Sequence, residues 1–137
     1  MIEALTRDID ALERKLDAPS TPAATELAQA VAERLLEIGR PAFPGGPELV
    51  VRGLLAANHQ VWRAGQVRRS REILRAALAC AEGCSDETRI GVLLRVAEQE
   101  LLAYDIAGAM GHTAEAMDVA HRTGRRVDEA RARANYA

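Results

Sequence analysis

The sequence predicts an all-α fold of antiparallel helical hairpins, about seven helices in all, and three observations lead there. First, the chain is 48% hydrophobic but only 3% aromatic. A core so poor in Phe, Tyr and Trp is built from Leu, Val, Ile and Ala, which suits closely packed helices, and Ala is the best helix former. Second, apolar residues recur at spacings of three and four, while alternating strand-type runs are absent. Third, a phrase recurs in the second half. Leu54, Ala57, Asn58 and Val61 precede a turn at Gly65-Gln66, then Ser70, Leu74 and Ala77 follow. Leu93, Val96, Ala97 and Leu101 precede a turn near Tyr104-Asp105, then Ala109, Thr113 and Ala116 follow. Small residues where helices must approach, with larger ones a turn away, are the mark of stacked helical units.

The first element is a heptad over residues 2–17, with Ile2, Leu5, Ile9, Leu12 and Leu16 separated by charged residues. Ile and Leu in alternation suit a parallel two-stranded coil, but so short a helix is marginal alone and is expected to lay its stripe on the next helix. Pro19 and Pro22 interrupt the chain; Thr21 is placed to cap a second helix that has Pro22 in its first turn. That helix carries Ala24, Leu27, Ala28, Val31, Leu35 and Ile38 on one stripe and ends at Gly39. Residues 1–38 thus read as an N-terminal hairpin.

Residues 39–47 hold three prolines and three glycines and read as a linker, with Phe43 expected to plug a gap between helices. Residues 48–137 then read as about two and a half hairpin units. Helices are expected over about 48–64, 67–82, 86–103 and 106–123, and a further one from Val127. Ser85 followed by Asp86 and Glu87 is an N-cap with acids in the first turn. The short joints make neighbouring helices antiparallel.

This phrase resembles the tetratricopeptide repeat, in which small residues recur at fixed places of a helix pair. Those places hold Asn58, Ser70 and Ala77 in one unit, Ala97, Ala109 and Ala116 in the next, and Ala134 in a third half-unit. The spacing of thirty-seven to thirty-nine residues exceeds the family's thirty-four, and its Trp-Leu-Gly phrase and closing proline are missing. Long units of this kind are similar to arrays in bacterial LuxR-type ATP-dependent transcriptional regulators and Ser/Thr-kinase-associated regions. The resemblance implies a right-handed stack of hairpins in which the first helix of each pair lines a concave groove. By position that groove carries Arg52, Leu55, His59, Trp62 and Arg63, then Leu94, Glu98 and Leu101, then Arg131 and Asn135. Trp62 beside arginines offers a flat apolar contact and a partner for a carboxylate. The expected role is a non-catalytic protein–protein interaction or sensing module, a segment of a larger bacterial regulator, binding a protein, a peptide or other domains of a longer chain. The groove is equally able to be filled by the chain's own first helix, and the heptad offers homodimerisation as a rival role.

Other chemistries are disfavoured. The formal net charge of −2 lacks the basic excess of a phosphate-tracking protein. The arginine clusters Arg68, Arg69, Arg71, Arg75 and Arg122, Arg125, Arg126 are balanced by nearby acids and have no interleaved aromatics. Cys80 and Cys84 lie four apart without further metal ligands in known spacing, so they read as small buried hydrophobes. His112 and His121 fall on opposite sides of one helix, and no nucleophile is paired with a base. No cofactor or metal is expected, and no enzymatic activity. No apolar run approaches a bilayer's thickness and no signal-peptide pattern opens the chain, so the cytoplasm is the default compartment.

Overall fold

The computed structural model describes residues 2–39, 41 and 44–123. The described residues are all-α, without strands. Six α-helices follow in order: α1 (Ile2–Arg14), α2 (Pro22–Ile38), α3 (Gly46–Arg63), α4 (Val67–Cys80), α5 (Asp86–Leu102) and α6 (Ile106–Thr123). A 3-10 turn at Ala81–Gly83 extends α4. The helix expected from Val127 and the expected role of Phe43 lie outside the described residues.

The helix ends follow local chemistry. Thr21 caps α2 by accepting the Ala24 N–H at 3.1 Å, with Pro22 where no N–H is needed. Gly39 closes α2 with a φ of 65°. Ser85 caps α5 by accepting the Thr88 N–H. At the entry to α3 the helix opens inside the Pro/Gly segment, at Gly46, because Pro47 falls in the first turn, where its missing donor would have had no partner.

The chain forms two compact units, Met1–Cys84 and Ser85–Ala137. The division places the Pro/Gly segment inside the first unit. There α3 is the central element: α1, α2, α4 and the 3-10 turn all pack on it. Its buried residues, among them Val50, Val51, Leu54, Ala57 and Val61, run round most of its circumference, as expected of a helix enclosed by others. The heptad stripe of α1 is spent within the chain: Leu5, Ile9 and Leu12 are buried against α2 and α3, while Ile2 and Leu16 at its ends are exposed. In the second unit α5 and α6 form a hairpin, tied by Arg89–Glu115 and by Glu100 with His112 Nδ1 at 2.5 Å.

The hairpins α3–α4 and α5–α6 share one register, offset by thirty-nine residues. At the small positions Asn58, Ser70 and Ala77 are buried in the first, and Ala97, Ala109 and Ala116 in the second. Leu54 and Leu93 match and are buried too. Even the joints repeat. Gly65 N–H bonds to Trp62 O and Gln66 N–H to Val61 O; Tyr104 N–H bonds to Leu101 O and Asp105 N–H to Glu100 O. Both are Schellman endings with a left-handed residue after the helix. Gly65 fills that place in one (φ 79°) and Tyr104 in the other (φ 62°).

Candidate functional site: the α1-bearing face of α3

Arg52, His59 and Arg63 lie at spacings of seven and four on α3, hence along one side of it. That side carries α1. Arg52 pairs with Asp10 at 3.1 Å and, more closely, with Glu13. His59 Nε2 is 2.9 Å from the Leu16 carbonyl, which can only accept, so the ring nitrogen donates. Arg63 donates to the Ala18 carbonyl at 2.9 Å, and Gln60 to the Lys15 carbonyl at 3.3 Å. Partner numbers rise together along both helices, so α1 runs parallel to α3. From α2, Arg34 adds a 2.5 Å ion pair to Asp8.

Two kinds of grip are therefore in play. Along the helical part of α1, carboxylates meet arginines. Just beyond its C-terminal end, α3 side chains donate to carbonyls of the turn that follows: Leu16, Ala18 and Lys15, the last of which also accepts the Ala18 N–H at 3.2 Å. The hydrogen bond to Glu13, ahead of the opposing effect of burial, holds the Arg52 guanidinium above its ordinary pKa, so it stays charged throughout the working pH range. Apolar seating completes the contact. A Cβ at Gly53 would lie 2.6 Å from Leu35 Cδ1 and 2.8 Å from Ile9 Cδ1. The missing side chain is the room in which Ile9 and Leu35 pack.

The residues predicted from the sequence fall as follows. Arg52, His59 and Arg63 are brought together on α3, with Leu55 and Trp62 half-buried on the same helix. Leu94 on α5 is buried, whereas Glu98 and Leu101 are exposed. Arg131 and Asn135 lie outside the described residues. Three contributors were not singled out from the sequence: Gln60, Gly53 and Arg34. The available signal was in α1 itself, whose Asp8, Asp10 and Glu13 flank an apolar stripe and match an arginine-bearing face elsewhere in the chain.

Cys84 has its thiol pushed up to about 11 by burial first, then by the negative charge of Glu48 and by Cys80. Among the described residues no group of three or more His, Cys, Asp and Glu is placed to hold a metal ion. No described helix is long and apolar enough to cross a membrane. Of the clustered arginines, Arg69 pairs with Glu33 and Glu72, and Arg122 with Asp118.

No family model matches the chain, and neither a curated protein nor a solved structure similar to it is found.

Proposed function

We propose that the chain is a non-catalytic interaction module built from tetratricopeptide-like hairpins, serving as a segment of a larger bacterial signalling or transcriptional regulator. One observation carries the reading: α3–α4 and α5–α6 bury small residues at matching places and make the same turn hydrogen bonds at one offset. A chain that writes one hairpin twice is of the kind that presents matched helix faces. The first helix of the first pair already holds a helix, α1, on the face the resemblance assigns to ligands. On α5, the positions matching His59 and Arg63 are Glu98 and Leu102, and both are exposed. Leu102 and Tyr104 are 61% and 87% exposed, which favours a surface with an apolar component for contact.

Dimerisation through the heptad is the weaker reading, because Leu5, Ile9 and Leu12 would first have to leave their seats on α2 and α3. The test is selection of helix-forming peptides from a displayed library on the full chain. Enriched peptides are expected to lose binding when Glu98→Arg or Leu102→Asp is introduced, with the thermal transition unchanged. Absence of any enrichment over the display background would overturn the reading.

A further inference from the structure

We propose that α1 is a built-in competitor: the α2–α3 surface under it binds an acidic amphipathic helix of a partner protein, and α1 regulates access by occupying that surface with the same chemistry. The inference rests on the interaction-module reading and adds a second surface to it, on α2–α3, with its class of partner and its means of control.

Complementarity of charge and shape makes the argument. The surface presents Arg34 and Arg52, and these meet Asp8, Asp10 and Glu13. It presents an apolar seat floored by Gly53 and filled by Ile9. Its far end presents Gln60, His59 and Arg63 to the main-chain carbonyls of Lys15, Leu16 and Ala18, in the turn after α1, which a ligand supplies with a few residues of any sequence beyond its helix. A ligand read from this imprint has aliphatic residues at i, i+4 and i+7, as Leu5, Ile9 and Leu12 do. It has carboxylates at i+3, i+5 and i+8, and its C-terminal end lies over His59. Only the covalent continuation into α2 is peculiar to α1, since the turn after it is held through its main chain.

The hold on α1 is also of a releasable kind. Its ion pairs are partly exposed, with 41% of the Arg52 side chain open to solvent, and such pairs are individually weak. The stripe comprises three fully seated side chains, and the helix is joined to α2 by the short stretch 15–21, which contains Pro19. An occupied surface lowers the apparent affinity of an external helix by the fraction of time it stands free.

The experiment uses the full chain and, as probe, a fluorescent peptide of residues 2–18 followed by anisotropy. Weakening the resident helix with Asp10→Ala/Glu13→Ala is expected to tighten binding of the wild-type peptide by about tenfold over the unmodified chain. Arg52→Glu added to that variant should abolish the binding. A peptide bearing Asp10→Arg and Glu13→Arg should recover it, which separates recognition from loss of fold. If circular dichroism shows the double variant unfolded, Glu13→Gln takes its place, with a smaller tightening expected. Equal affinity for weakened and unmodified chains, or no binding to a folded weakened chain, overturns the proposal. So does a stable dimer of the unmodified chain that exchanges α1 between copies, since the surface would then belong to a second copy. If library-selected peptides still bind while the α1 peptide does not, this inference alone falls; if neither binds, the module reading falls with it.

Discussion

Tyr104 occupies the left-handed place that Gly65 fills in the other hairpin joint. A side chain there crowds its own backbone, a cost of roughly 1–2 kcal/mol that glycine avoids, though glycine returns part of it as unfolded-state entropy. Tyr104→Gly is therefore expected to stabilise the chain by about 0.5–1 kcal/mol, read as a higher denaturant midpoint at unchanged slope. The matched pair Asn58 and Ser70 offers a second comparison. The Ser70 hydroxyl donates to Asn58 Oδ1 in a buried contact, and Asn58 Nδ2 is buried without a partner. Ser70→Ala strands the Asn58 amide and is expected to cost about 1–3 kcal/mol. Adding Asn58→Ala reproduces the alanine pair of the second hairpin and should recover most of that loss, a non-additivity that equilibrium unfolding measures directly. For Cys84, a thiol raised to about 11 from an ordinary 9.0 holds about a hundredfold less thiolate at pH 8. Its alkylation should be slow and rise roughly tenfold per pH unit up to pH 10. The same shift contributes stability that is complete below about pH 9 and disappears as pH climbs through 11, because the folded state holds the proton longer.

At the level of helices, most of the architecture is legible in the sequence. Stripe spacing, Thr21, Ser85 and Gly39 mark helices and their ends because each acts locally, through hydrogen bonds made within one turn. The helix expected from about residue 48 starts at Gly46, because Pro47 in a first turn costs nothing although Pro and Gly weigh alike in a count. The candidate site was legible only in half. The spacing of Arg52, His59 and Arg63 marks a common face, but what meets that face is a contact between residues some forty positions apart, which no local rule contains. Gly53 shows the same gap: nothing in the sequence says that its missing side chain seats Ile9 and Leu35. Gly53→Val fills that seat with a branched group and is expected to destabilise the first unit by about 1–3 kcal/mol. The loss should appear with earlier hydrogen exchange along α1 than along α4.

Across the whole molecule, the shared register makes a prediction that neither hairpin makes alone. Ala77 and Ala116 stand at the same place in their helix pairs and are both fully enclosed. Ala77→Leu and Ala116→Leu overpack equivalent crossings and should each cost about 1–3 kcal/mol, whereas Leu at the exposed Ala107 should be near neutral. Unequal effects of the first two substitutions would show that the likeness of the hairpins stops at the backbone. The carbonyl contacts at the end of α1 bear on how freely this chain can vary. His59, Gln60 and Arg63 address the main chain of residues 15–18 and ignore what those residues carry. An exhaustive substitution survey should therefore record a quiet stretch there, bordered by intolerant positions at Leu12 and Ala24. Evolution would be at liberty to rewrite that stretch, for instance as a protease or kinase recognition sequence, without disturbing how the helix is held.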